Sequence, residues 1–318
     1  MEDYKYLLRV NCITYNHADY ITKAMDGFCM QETSFPFVCV IVDDASTDGE
    51  QDVIRHYLET NFETVNQTVV SEETNDYILI FARHKINRNC FFAAFLLKYN
   101  HYRAKKTKRL YFDETYYTKY VALCEGDDYW IHPQKLQKQI DFLEKHPNNS
   151  GCIHAYRRDD YQNEGISSIE IHKYQQTTDA IPTDEVICGK RQFCATASWV
   201  YRSSAVENYP DWASRAPVGD KPLKLVLFAR GPIGYLDEVM SVYRVGVPGS
   251  WTIRVFRNRE AEKKSRKGQM QIIKDFDKWT NGKYHNYIKR NLAYCKYVYW
   301  KTDYLIRPYL WLRKRLRV

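Results

Sequence analysis

The chain has 318 residues, 47 Lys+Arg against 39 Asp+Glu, and a net charge of +8, long enough for a sizeable core in one large domain or two. It has no run of about 18 apolar residues, and its N-terminus, MEDYKYLLRVNCITYN, lacks a basic region ahead of a long apolar stretch, so neither a membrane-spanning helix nor a signal peptide is expected. The nine cysteines show no CxxC spacing, and Cys12, Cys39 and Cys124 sit in apolar runs; they read as small core residues in a reducing cytoplasm, not as zinc ligands or disulfides.

Residues 7–13 are apolar enough for a first strand. They lead into Thr14-Tyr15-Asn16-His17, a polar, aromatic turn that can stack a base and hydrogen-bond to it, or simply join strand to helix. Residues 18–30 have helical spacing at Tyr20, Ala24 and Phe28. Residues 37–42, FVCVIV, read as a buried strand ending in Asp43 and Asp44. One of these acids, or Thr47 or Asp48, can cap the helix expected over 50–58. An Asp at this position can also accept the imide N–H of uracil or bond a ribose hydroxyl.

Residues 77–82, YILIFA, are a third strand candidate, followed by His84-Lys85-Ile86-Asn87-Arg88-Asn89 and an expected helix over 90–99. Lys85 and Arg88 can reach a diphosphate or serve as surface charges. Residues 63–75 and 103–109 read as loops.

Residues 120–124, YVALC, suit a central strand buried on both faces. Glu125, Asp127 and Asp128 follow at once, with Gly126 permitting a tight bend. Such carboxylates lie where open α/β sheets bind ligands. Three close negative charges call for a hard cation, Mn²⁺ or Mg²⁺. The alternative is an acidic turn capping the next helix, expected over 133–146. There Leu136, Ile140 and Leu143 share one face, and Lys135, Lys138 and Lys145 lie away from it. Pro147 ends it.

The second half is less regular. Residues 151–156 read as a strand, 157–184 as a polar surface excursion and 193–201 as a strand. A short helix over 223–230 and a turn and strand over 234–244 follow. Asp220 can cap that helix. The fold class expected is α/β, with helices flanking a mostly parallel sheet.

Four stretches in order, VNCITYNHADYI, VIVDDASTDGE, YVALCEGDDYWIHPQKLQKQIDFL and VGDKPLKLVLFARGPIGYLDEVMSVYR, resemble glycosyltransferase family 2, the inverting GT-A nucleotide-sugar transferases. They are most similar to bacterial members that build capsule, O-antigen or exopolysaccharide. The resemblance spans residues 5–251 and implies a Rossmann-like GT-A domain over 1–253. A nucleotide-sugar half would cover about 1–150 and an acceptor-side half 151–253.

The resemblance also implies roles. Thr14, Tyr15 and Asp44 would hold the base and ribose, and Asp127 and Asp128 would fall on the DxD-like metal site. Asp220 would be the catalytic base. With the readings above, the nucleotide-sugar site expected is Thr14, Tyr15, Asn16, Asp43, Asp44, Arg88 and Asp127, and the metal site Glu125, Asp127 and Asp128. Glu125 replaces the usual first Asp, which leaves open which two acids touch the metal. Gly219 stands where a Glu usually precedes the base, and Val245-Gly246 supply no His ligand. The donor implied is a nucleotide-diphosphate sugar, with UDP favoured, and the acceptor a glycan or polyprenyl-linked hydroxyl. A sugar nucleotidylyltransferase would normally carry a Gly-rich phosphate loop after the first strand, and a dehydrogenase a GxGxxG there; a nucleotide-sugar-binding protein without activity is the other alternative.

Residues 254–318 hold 19 Lys+Arg and 5 Asp+Glu, a net of +14, against −6 for the rest. This basic, aromatic-rich helical extension points to an anionic membrane surface rather than nucleic acid. The alternatives are packing on the catalytic domain or a dimer contact, and the oligomeric state is left open. The location implied is the cytoplasmic face of a bacterial cell membrane.

Overall fold

The structure, a computed structural model, describes residues 5–307 apart from 64–71, 114–115, 163–164, 175, 189–193, 217, 248–249, 251–254 and 256–257. Its centre is β1 (Leu8–Thr14), β2 (Phe37–Asp43), β5 (Cys90–Leu97) and β6 (Tyr120–Leu123). β2 runs parallel to β1 and to β5, and β1 runs parallel to β6. All seven residues of β2 are buried, as its unbroken apolar run requires of a strand covered on both faces. The registers Thr14–Asp43 and Asn11–Leu123 bring three strand ends to one edge.

α1 (Ile21–Cys29) and α2 (Glu50–Asn61) follow β1 and β2. β3 (Glu72–Glu73) and β4 (Tyr77–Arg83) form the far edge. The expected helix over 90–99 is instead the strand β5, CFFAAFLL, paired antiparallel with β4 and parallel with β2. The hairpin turn between β4 and β5 therefore lies at the amino edge of the parallel strands, away from Thr14 and Asp43.

α3 (Arg109–Asp113) precedes β6, and β7 (Tyr129–Trp130) and α4 (Lys135–Lys145) follow it. α4 buries Leu136, Ile140 and Leu143. Lys135, expected on the polar side, is fully buried, with its ammonium 4.1 Å from the Trp130 ring centroid and donating to Gln139 Oε1 at 2.7 Å. The ring and the amide replace its hydration, and burial still pushes its pKa down to about 7.

The same sheet continues through the second half. β8 (Gly151–Gln162) extends well past the expected strand and pairs antiparallel with β9 (Gly165–His172), so residues 157–162 and 165–172 are ordered sheet, not an irregular excursion. α5 (Thr183–Cys188), β10 (Val200–Arg202) and α6 (Asp211–Ser214) lead to α7 (Asp220–Arg230) and β11 (Ile233–Val245). β11 runs parallel to β8 and also pairs with β7.

α8 (Arg259–Trp279) and α9 (His285–Lys301) close the described chain, followed by a π-helical turn at Thr302–Ile306. Asn258 caps α8 by accepting from Glu260 N and Ala261 N. Ile272, Ile273 and Phe276 of α8 and Ile288 of α9 pack with Ile187 and Leu225. Asn291 donates to the Ile187 carbonyl at 2.6 Å. These two helices thus dock on α5 and α7. Among the described residues, no helix is long and apolar enough to cross a membrane.

Candidate active site

The turn after β6 gathers Glu125, Asp127 and Asp128, with one carboxylate oxygen of each within 4.8 Å of the others. Gly126 allows this turn to lie against β1: a Cβ there would stand 2.1 Å from Thr14 Oγ1 and 2.6 Å from Thr14 Cβ. Asp128 is fully buried. Its Oδ1 accepts from Arg244 N at 2.9 Å, while Oδ2 is buried with no partner. Burial, then the charges of Asp127 and Glu125, pushes the Asp128 carboxyl well above the usual carboxylate range. Glu125 opens to solvent, yet the surrounding protein and then Asp127 and Asp220 push its carboxyl up to about 8. A buried orphan oxygen beside two carboxylates fits a hard divalent cation held by oxygen ligands.

Arg244 braces this turn from the end of β11. Its Nη1 donates to the Asp127 carbonyl at 2.6 Å, and its guanidinium lies 4.3 Å from the Tyr129 ring centroid and 5.1 Å from that of Tyr20. Tyr243 is close enough to feel all four acids: burial first, then Asp128, Glu125, Asp127 and Asp220, raises its phenol pKa. Asp220 is exposed at the first turn of α7 and acts electrostatically on Glu125. Asp220 lies 92 or more residues from the cluster in sequence, and its charge adds to those that oppose ionisation of Glu125.

The turns after β1 and β2 are stitched together. Asn16, at φ 58°, donates from its backbone N to Ser46 Oγ at 2.8 Å, and its Oδ1 accepts from Thr47 N at 2.8 Å. Thr14 Oγ1 is hydrogen-bonded to buried Glu50 and lies 3.1 Å from His17 Nδ1. Glu50 Oε2 also accepts from His17 N at 2.9 Å and Ser46 Oγ at 2.8 Å. Burial pushes the Glu50 carboxyl up to about 7, against these hydrogen bonds.

Asp43 and Asp44 differ. Asp43 Oδ1 accepts from Ser46 N at 3.0 Å and from Gln51, but its buried Oδ2 has no partner. Burial raises its pKa. Asp44 accepts from His101 N at 2.7 Å and Tyr102 N at 3.2 Å and pairs with Lys108 Nζ at 2.9 Å. A carboxylate offers about four acceptor positions, so Asp44 keeps room for one further donor.

Residues 10–91 match the family model described as glycosyl transferase family 2. The chain is 31% identical over 243 residues to the protein described as uncharacterized Rv1520 of Mycobacterium tuberculosis, and equally to Mb1547 of Mycobacterium bovis. Each match covers 75% of this chain and 59% of the relative, so the chain spans a little over half the length of these curated relatives. Among solved structures, S. aureus TarS 1-349 in complex with UDP-GlcNAc is similar at TM-score 0.51 and 15% identity, over 84% of this chain and 65% of that one. The mannosyltransferase PcManGT from Pyrobaculum calidifontis, in complex with GDP-Man and Mn²⁺, is similar at TM-score 0.51 and 12% identity, over 98% and 80%. The fold is GT-A-like, and the family match supports a glycosyltransferase.

The structure brings Thr14, Tyr15, Asn16, Asp43, Asp44, Glu125, Asp127, Asp128 and Asp220 to one sheet edge. Arg88 is not among them. It sits in the β4–β5 turn at the opposite edge and pairs with Glu63, while Lys85 donates to the Thr60 carbonyl at 2.6 Å. Neither can reach a diphosphate at the acidic cluster. Arg244, His17, Glu50 and Tyr243 are site residues that the sequence reading did not single out. Arg244 and Tyr243 fall in its fourth matched stretch and His17 in its first, which is the signal that could have found them.

Proposed function

We propose that this chain is an inverting glycosyltransferase. It moves a sugar from a nucleotide-diphosphate donor, UDP-linked by preference, to a hydroxyl of a glycan or polyprenyl-linked acceptor in bacterial surface-polysaccharide synthesis. The observation that carries this reading is the cluster of Glu125, Asp127 and Asp128, with an orphan buried oxygen on Asp128, at the carboxyl edge of the sheet where α7 begins with Asp220.

Glu125, Asp127 and Asp128 would hold Mn²⁺ or Mg²⁺, which when bound neutralises charge growing on a diphosphate leaving group. Arg244 keeps Asp127 and Asp128 in place for that task. Thr14, Tyr15, Asn16, Asp43 and Asp44 form the base and ribose pocket, and the two unequal aspartates divide the work. Asp43 has an unused acceptor oxygen for a nucleoside N–H or O–H, and Asp44 ties the 101–108 segment to the pocket floor.

Asp220 takes the proton from the acceptor hydroxyl. The acceptor oxygen forms a bond to the anomeric carbon as the bond from that carbon to the diphosphate breaks, and the electron pair leaves with the diphosphate. Attack opposite the leaving group inverts the centre, the logic of inverting glycosidases with a sugar hydroxyl in place of water. A lipid-linked acceptor places the enzyme peripherally on the cytoplasmic face of the membrane.

Similar structures hold UDP-GlcNAc in one case and GDP-Man in another, so the test is a donor panel spanning both nucleotides. Sugar release or transfer with Mn²⁺ and an inverted anomeric signal by nuclear magnetic resonance is the expected result. Release of pyrophosphate from a nucleoside triphosphate and a sugar phosphate would instead identify a nucleotidylyltransferase. Donor binding without turnover would identify a binding protein.

A further inference from the structure

The inner and outer faces of α9 are built for different neighbours. Inward, Ile288 and Asn291 are buried against α5. Outward, Tyr294, Tyr297, Trp300 and Tyr304 are 38%, 54%, 51% and 69% exposed. Their spacing of three and four residues puts them on one helical side. The last three rings form a continuous row, with Tyr297 and Trp300 centroids 6.4 Å apart and Trp300 and Tyr304 6.3 Å apart. Leu305 and Ile306, which follow Tyr304, are also 51% and 42% exposed.

The charge around this row has one sign. Residues 285–307 contain five Lys and Arg and one acid, Asp303. That acid is already engaged, by Arg259 at 2.7 Å and Arg266 at 2.9 Å on α8. Lys289, Arg290, Lys296 and Lys301 are exposed, and among the described residues no carboxylate pairs with them. The helix end is also held: Arg307 pairs with Glu262, and Arg266 lies 4.7 Å from the Tyr299 ring centroid. The aromatic side is therefore a fixed surface.

We infer that this side of α9 docks on an anionic lipid bilayer, and so turns the acceptor side of the molecule toward the membrane. Half-buried Tyr and Trp rings suit the headgroup layer, and flanking cations meet its phosphates. A second copy of the chain would bring the same cations against themselves, which disfavours a symmetric contact through this row. The sequence beyond Arg307, PYLWLRKRLRV, adds aromatic residues, leucines and four cations with no acid. The surface is also well placed for the chemistry. Ile288 of α9 packs in one cluster with Leu225 of α7, the helix that Asp220 opens, and the row begins farther along α9, at Tyr294. This inference deepens the proposed reaction by placing its lipid-linked acceptor, and rests on that reading for the acceptor alone, because docking itself needs no donor.

Flotation of the full chain with phosphatidylglycerol–phosphatidylcholine vesicles tests it. Two variants are compared with the native chain, Lys296→Glu with Lys301→Glu, and Tyr297→Ser with Trp300→Ser and Tyr304→Ser. Each is checked for native circular dichroism and native donor hydrolysis in solution. The charge pair should weaken vesicle binding at least thirtyfold, about that much from the loss of two cations near an anionic surface and more from the two carboxylates that replace them. The aromatic triple should weaken it as well, and pure phosphatidylcholine vesicles should bind poorly. Native-like binding by either folded variant overturns the inference, as does equal binding to neutral vesicles. A native dimer that the aromatic triple dissociates, without vesicle binding by either, would assign the row to a second copy instead. Vesicle binding by a chain that turns over no donor would sink the reaction and leave the docking surface standing.

Discussion

His17 Nε2 lies 3.7 Å from Asp127 Oδ2. Its other ring nitrogen faces the Thr14 hydroxyl, which is hydrogen-bonded to Glu50. When Glu50 is neutral, its O–H can donate to Thr14, and Thr14 can donate to His17 Nδ1. The imidazole proton then sits on Nε2 and points at Asp127. When Glu50 is ionised, Thr14 donates to it, His17 donates from Nδ1, and a neutral ring shows Asp127 a lone pair. A buried acid on α2 thereby sets what the turn after β1 presents to the acidic cluster.

The Glu50 carboxyl stands at about 7 in the fold against an ordinary 4.5. The folded state therefore holds the proton more tightly than the unfolded chain. This contribution to stability is fully present below pH 4.5 and is lost as pH rises through 7. Its size is about 3 kcal/mol. Glu50→Gln cannot ionise, so the native-minus-variant stability, from urea titrations across this window, should fall as pH rises. A difference that stays flat with pH would disprove the buried-acid assignment.

Asp128→Asn removes a charge that burial and two neighbouring acids oppose. Without divalent metal, the variant should melt above the native chain. Mn²⁺ at about a hundred times its Kd should stabilise the native chain by about 2.7 kcal/mol and the variant by much less. Equal stabilisation of both in calorimetry would remove Asp128 from the metal site.

Asp220→Asn keeps the size of the side chain but cannot accept a proton. Transfer should fall by about 10²–10⁴-fold, while donor affinity by isothermal titration is unchanged, because the nucleotide pocket is built by other elements. Weakened donor binding with an intact rate at saturation would contradict the role of base.

Gly126→Ala drives a methyl into Thr14, whose Oγ1 would stand 2.1 Å away. The β1 and β6 turns must then separate. The expected cost is about 1–3 kcal/mol of stability, read from thermal melts, with loss of nucleotide binding. A native melting temperature for the variant would mean that the two turns do not meet as described.

Much of this arrangement was legible in the sequence, and the misplacement among the expected site residues has one source. Strands β1, β2 and β6 announce themselves as short apolar runs ending in polar residues, and α4 shows its helical period. CFFAAFLL carries no period at all, since a strand buried on both faces and a buried helix look alike over eight residues. Reading it as a helix implies a parallel crossover, which would put the preceding turn, with Lys85 and Arg88, at the carboxyl edge. As a strand it makes a hairpin, and the turn goes to the opposite edge. The misplacement of Arg88 follows directly from that one choice. Glu50 and Arg244 end the second and fourth matched stretches, but their roles were hidden for another reason: each acts by meeting a residue from a distant stretch, Thr14 in one case and Asp128 in the other.

Arg244 belongs to the second half of the chain, yet its backbone N–H holds Asp128 and its guanidinium holds the Asp127 carbonyl in the first. The two halves are therefore not exchangeable cassettes. A fragment ending near residue 150 would lose Arg244 N, the one donor to the Asp128 carboxylate among the described residues. Recombining the nucleotide half with a foreign acceptor half, in evolution or in the laboratory, would succeed only where the incoming strand brings an arginine to the same place.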